Sequence, residues 1–163
     1  MPGMNADPHL TRARVVATAR AWRGTPYHHQ AALKGLGCDC LGLVRGVYAE
    51  LYGRSPEEPP PYAPGWAESA ALGPDGPAEP LRDAARRHLA EIPPPEALAG
   101  DVLLFRWRDG LPAKHCAILT APLAGPAPRM LHAYDGHAVL ECSLPRAWSR
   151  RIAHAFRFPG LRA

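Results

Sequence analysis

Three side chains of this 163-residue chain have the types and placement needed for nucleophilic acyl transfer: Cys40, His115 and His132. Cys40 ends the run Gly35-Leu36-Gly37-Cys38-Asp39-Cys40 and opens an apolar series at positions 41, 44, 47, 48 and 51. Spacings of three and four paint one stripe along an α-helix, and Gly53 just beyond is a helix stop. Cys40 is therefore expected at a loop-to-helix junction, beside unpaired backbone N–H groups and the positive end of the helix dipole. Such a site can lower a thiol pKa from ~8.5 into the range ~3.5–7.5 and supply a thiolate at neutral pH. Cys38 lies two residues upstream in the loop and does not begin the stripe, so Cys40 is the expected nucleophile.

The histidines fall in two strand-like segments, Lys114 to Thr120 and Arg129 to Tyr134. Pairing His115 with His132 in an antiparallel hairpin centres the turn between residues 123 and 124. The Pro/Gly-rich connection, residues 121–128, is centred one residue later. The two imidazoles are thus expected as cross-strand neighbours on one face. One would take the thiol proton and return it to a leaving amine, while the other orients it and selects its tautomer. Zinc is the rival chemistry, drawing on Cys38, Cys40, one of the histidines, and Cys116 or Cys142. It is disfavoured because Cys-x-Cys chelates one ion poorly and because consecutive strand residues His115 and Cys116 point to opposite faces. No metal or other cofactor is expected. Cys116 and Cys142 read as small buried hydrophobes.

The elements that must hold these groups follow from pattern. Asp7-Pro8 is a cap and first-turn pair for a helix to about Trp22, ended by Gly24-Thr25-Pro26. After the Cys40 helix, a Pro/Gly-rich insert at about 55–80 suits a lid, a docking loop or a disordered segment, with Tyr62, Trp66 and Leu72 able to pin it. A short helix is expected from Pro80 to Glu91, stopped by Pro93-Pro94-Pro95. Five short strands follow at about 101–107, 114–120, 129–135, 137–143 and 151–158, with Asp135-Gly136 as a tight hairpin turn. Helices first and strands afterwards predict an α+β domain, with an antiparallel sheet packed on one face by helices and one domain spanning 1–163.

Composition narrows the function classes. A hydrophobic fraction of 47% and a charged fraction of 21% are those of a globular domain. The net charge of +4 comes from scattered arginines with no basic block interleaved with aromatics, so nucleic acid is not an expected partner. No apolar run approaches a membrane span. Met1 to Leu10 has neither a basic nor an apolar leader region, so synthesis in the cytoplasm without a signal peptide is expected.

Trp22-Arg23-Gly24-Thr25-Pro26-Tyr27, then Gly37-Cys38-Asp39-Cys40-Leu41-Gly42-Leu43-Val44-Arg45, resembles the NlpC-type cell-wall cysteine peptidases. Their pattern also includes a segment like Ala99 to Phe105 and two histidine segments like Lys114 to Ile118 and Leu131 to Tyr134. The resemblance runs from about Trp22 to Glu141. It implies a papain-like fold and hydrolysis of peptidoglycan stem peptides, without a metal. It further implies Cys40 as nucleophile, His115 as base and His132 as polar third member. Tyr27 would line the site near the oxyanion, and Asp39 would contact the substrate's free amine. Leu41 departs from the family's serine, which bears on stem specificity. Cys38 resembles the branch carried by phages and gene transfer agents, implying phage-like tail or baseplate partners and action on the periplasmic wall. The alternatives are a structural tail or baseplate component with little or no activity, and an acyltransferase or amidase on the same scaffold.

Overall fold

The structure, a computed structural model, describes residues 10–60, 78–134 and 136–163. Helix α1, Arg12–Arg20, is capped by Thr11, whose side chain accepts from the Arg14 N–H. The cap expected at Asp7-Pro8 lies outside the described residues, and the helix begins later because Thr11 holds an extended backbone (φ −118°, ψ 158°). A two-residue hairpin, β1 (Ala32–Leu33) with β2 (Gly37–Cys38), leads into α2, Cys40–Tyr52. Its end is the expected one: Gly53 caps it with φ 73°, a left-handed conformation that glycine adopts without strain.

Helix α3 spans Pro80–His88 and stops three residues before the expected end at Glu91. Leu89 turns extended, and Ala90–Ile92 becomes β3, pairing antiparallel with β8. Leu89 and Ile92 continue a helical spacing in sequence, so nothing local betrays this strand. Only the partner strand makes it one. The remaining strands are β4 (Val102–Phe105), β5 (His115–Leu119), β6 (Arg129–His132), β7 (Leu140–Ser143) and β8 (Ile152–Arg157), with α4 (Arg146–Ser149) before the last. The main sheet is fully antiparallel with six strands rather than five, in the order β3-β8-β4-β5-β6-β7.

Every residue of β4 and β5 is buried, because both faces of the sheet are covered. On one face Val102, Leu104, Cys116 and Ile118 pack with Leu43, Val47 and Tyr48 of α2. On the other, Leu103, Phe105, Ala117, Leu119 and Met130 pack with Leu144 and Trp148. The expectation of helices on one face is met, and the second face is closed by α4 and its flanking segments. A second difference lies between β6 and β7. Their ladder ends at His132↔Leu140, so the connection occupies residues 133–139; the expected turn lies inside it, with the His137 N–H donating to the Tyr134 carbonyl (2.9 Å) and Gly136 at φ 79°, but the strand pairing does not run up to that turn. Asp135 itself lies outside the described residues. Val139 is drawn away from the hairpin: its N–H donates to the Thr25 carbonyl (2.9 Å) and its carbonyl accepts from Gly24 (2.8 Å).

The first loop and α2 meet at very short range. A Cβ built on Gly46 would lie 2.1 Å from the ring of Trp22, which is 2% exposed. Helix propensity alone favours Gly→Ala by about 1 kcal/mol. Here the clash reverses the sign: Gly46→Ala is expected to destabilise the fold by about 1–3 kcal/mol, the usual cost of overpacking. Chemical-denaturant unfolding of the purified variant measures it.

Candidate active site

The loop before α2 is built around Asp39. Its Oδ1 accepts the Gly42 N–H (2.7 Å), capping the helix, and its Oδ2 accepts the Gln30 N–H (2.9 Å), holding that residue at φ 65°. The carboxylate is 3% exposed. Gly42 has no room for a side chain, since a Cβ there would fall 1.8 Å from the Ala31 carbonyl oxygen. Cap and close approach together place Cys40 at the first position of α2, whose leading amides have no acceptor within the helix. Asp39 is thus committed to two backbone amides, the site the resemblance would give to a substrate amine. Tyr27, half-buried, forms a bridge with Cys38 and so stands beside the strand that leads into Cys40.

The two upstream thiols differ sharply. Cys38 is fully buried in β2, and burial, with the charges of Asp39 and Cys40, pushes its pKa up to about 12. Cys40 is half-buried and its pKa is lowered well below the ordinary thiol value. A hydrogen bond from the Cys116 thiol contributes most. Burial opposes it, the charge and hydrogen bond of His115 add to it, and the Asp39 carboxylate opposes it. The Cys116 sulfur also lies 3.1 Å from the Cys40 carbonyl oxygen, which fixes the start of α2 against β5. Donation to Cys40, together with burial, raises the Cys116 pKa. These surroundings favour the negative charge on Cys40 over Cys38 and Cys116.

His115 and His132 come together, in a register different from the expected one. The observed pairs, Ile118↔Leu131 and Leu119↔Met130, sit two residues from a direct His115–His132 pairing. A slip of two preserves the face. The rings consequently meet on a diagonal, with His115 Nε2 3.0 Å from His132 Nδ1 and ring planes at 80°. Both are buried, 6% and 4% exposed. Burial, then the charges of His115 and His137, lower the His132 pKa to about 4. His132 is thus neutral at neutral pH, and with Nε2 of His115 engaged, Nδ1 is the nitrogen left to the thiol.

Aromatic rings that the sequence did not single out enclose the pair. Trp107 stacks on His115 (5.6 Å, 27°), and Trp148 presents an edge to both His115 (5.6 Å) and His132 (5.1 Å). Tyr134 completes the wall at 5.8 Å from His115. Extending the strand alternation from His115 to Phe105 and Trp107 was the one available signal, and Trp148, on another element, had none. Leu41 turns elsewhere, into an apolar cavity of about 420 Å³ between α2 and α3 that Cys116, Val44 and Leu81 also line. The described flank of the insert is tied over α3: Glu57 pairs with Arg87 (2.7 Å) and His88 (3.2 Å), and its carbonyl accepts from Arg45. Tyr62, Trp66 and Leu72 lie outside the described residues. Among the described residues no three His, Cys, Asp or Glu side chains converge as a metal site requires, and no helix is long and apolar enough to cross a membrane.

An antiparallel sheet with a cysteine-bearing helix packed on it and a histidine pair on neighbouring strands is an α+β arrangement that matches the papain-like fold of NlpC/p60 domains. Comparison with solved structures places this chain beside such domains. It matches the crystal structure of the NlpC/p60 domain of the peptidoglycan hydrolase SagA with a TM-score of 0.59 and 25% identity, covering 91% of this chain and 100% of that one. An NLP/P60-family protein from Staphylococcus aureus, described as similar to lipoprotein, matches at TM-score 0.56 and 25% identity over 90% of this chain and 41% of that one. The Ly7917 structure shares the fold at TM-score 0.53 and 11% identity, over 92% of this chain and 63% of that one. No family model matches the chain, nor does any curated protein.

The neutral state of His132 makes stability pH-dependent. A histidine near pKa 6.5 when unfolded and about 4 when folded binds fewer protons in the folded state between those values. Its contribution is fully present above pH ~6.5 and is lost as pH falls toward 4, on the order of 3 kcal/mol in all. Denaturant titrations at pH 7, 6, 5 and 4 should show this loss, and His132→Gln should flatten it.

Proposed function

We propose that this protein is a cysteine peptidase that hydrolyses the peptide stems of bacterial peptidoglycan. The observation that carries the reading is the row formed by a lowered-pKa thiol at the start of α2, His115, and the neutral His132 joined to it at 3.0 Å. The similarity to an NlpC/p60 domain of a peptidoglycan hydrolase, over the whole of that domain, supports the substrate class. In the proposed reaction Cys40 sulfur attacks the stem carbonyl carbon, and the resulting oxyanion faces the leading amides of α2. His115, having taken the thiol proton at Nδ1, returns it to the departing amine, leaving a thioester on Cys40. Water, deprotonated by His115, then attacks the thioester and releases the acid product and the thiolate. His132 accepts from His115 Nε2 throughout and holds the ring in line. Tyr27 would border the oxyanion. Asp39 would meet the substrate amine while its carboxylate also holds the Gly42 and Gln30 amides.

Two assays test the residue assignment. Iodoacetamide at pH 7 is expected to modify Cys40 first, with Cys38 unreacted in the native protein. Cys40→Ala should abolish hydrolysis, by a factor on the order of 10³ or more, whereas Cys38→Ser should retain it. Activity remaining in Cys40→Ala would overturn the assignment.

Digestion of purified sacculi tests the substrate. New amino termini within stem peptides are expected by mass spectrometry of the released muropeptides. Acyl groups transferred to amines, with no new termini, would point to an acyltransferase on this scaffold. Carriage on a phage-like tail is part of the proposal and rests on the resemblance of Gly37-Cys38-Asp39-Cys40 to the tail-borne branch. Mass spectrometry of purified particles from the producing cell should find this chain, and particles without it would remove that part.

A further inference from the structure

Beyond His132 the row continues to a residue with no role in the reaction as described. On the sheet face that carries His115 and His132, strand β7 contributes Cys142, whose sulfur lies 3.6 Å from His132 Nε2. The register places His132 opposite Leu140, so Cys142 is its diagonal neighbour on the same side, repeating the offset between His115 and His132. Three adjacent strands thus line up Cys142, His132 and His115.

The chemistry of a neutral imidazole gives the third position meaning. His132 carries a single N–H, on either Nδ1 or Nε2. For His115 to hold a thiol proton at Nδ1 it must keep its Nε2 proton and donate it to His132 Nδ1. His132 then has to carry its own proton on Nε2, where the hydrogen-bond partner among the described residues is the Cys142 sulfur, a weak acceptor. We propose that Cys142 is a positioning residue, its sulfur accepting from His132 Nε2–H and so selecting the tautomer whose Nδ1 receives His115. This rests on the peptidase reading for its purpose, though its geometry stands without it. Burial raises the Cys142 pKa, so the sulfur stays a thiol near neutrality. The titratable groups facing His132 are His115 from β5, Tyr134 and His137 from the β6–β7 connection, and Cys142 from β7. Arg129 and Glu141 act on the Cys142 sulfur from β6 and β7.

The test compares Cys142→Ser, which keeps an acceptor, with Cys142→Val, which fills the space without one, each first shown to unfold cooperatively like the parent. Two readouts do not depend on peptidase activity: the ¹⁵N tautomer signature of His132 by NMR, and the pH profile of Cys40 alkylation by iodoacetamide. His132 protonated at Nε2 is expected in the parent and in Cys142→Ser, and a mixture of tautomers in Cys142→Val. Alkylation of Cys40 at pH 6 should slow by about 3- to 10-fold in Cys142→Val, the weight of one modest hydrogen bond, and recover in Cys142→Ser. A parent His132 protonated at Nδ1, or a Cys142→Val protein with unchanged tautomer and alkylation profile, would overturn the proposal. A shifted tautomer in Cys142→Val, with no sacculus digestion by the parent protein, would keep the hydrogen bond and count instead against the peptidase reading; unchanged digestion with a shifted tautomer would remove the positioning role.

Discussion

One buried carboxylate holds the site in place. Asp39 receives an amide from each side of the junction, Gly42 in the first turn of α2 and Gln30 in the preceding loop. Its removal would leave the buried Gly42 amide and the part-buried Gln30 amide without their acceptor, a larger cost than the loss of an exposed helix cap. Because Gly42 passes directly under the Ala31 carbonyl, helix and loop cannot slide past each other, and the Cys40 sulfur has a fixed address. The same carboxylate works against the thiolate electrostatically. The protein tolerates that because the Cys116 donor and His115 together outweigh both burial and the Asp39 charge.

The sheet serves the site by being buried on both sides. Its α2-facing side carries Cys116, whose sulfur lies 3.1 Å from the Cys40 carbonyl oxygen, while its opposite side carries His115, His132 and Cys142 in one diagonal. Cys40 and His115 therefore come from opposite sides of the sheet and meet where β5 begins. There His115 is the first strand residue and the registered β5–β6 pairs do not start until Ile118. The aromatic wall of Trp107, Trp148 and Tyr134 keeps water from most of the imidazole surface, which is the physical source of the low His132 pKa.

Much of this was legible in the chain itself. The cap-stripe-stop pattern of α2 depends on local rules, helix dipole, apolar spacing and a left-handed glycine, and the structure reproduces it from Cys40 to Gly53. The shared face of the two histidines was also readable, since strand alternation has period two and survives a register error of two residues. The turn at Asp135-Gly136 was readable too, but the early end of the β6–β7 ladder was not, because Val139 takes backbone partners in the Gly24-Thr25 loop instead of continuing the hairpin. Nor was β3, whose residues carry a helical spacing and become a strand only because β8 offers an edge.

What the sequence determined, then, is which residues can do chemistry and on which local elements they ride: a thiol at a helix start and two histidines on strands of matching parity. Tertiary structure decided how far each group is charged. Cys38 and Cys40 have the same side chain two residues apart, yet one is sealed in β2 beside a carboxylate and the other is reached by Cys116 and His115. Charge state depends on solvent exclusion and on donors brought from 76 residues away, and neither is a property of neighbours along the chain.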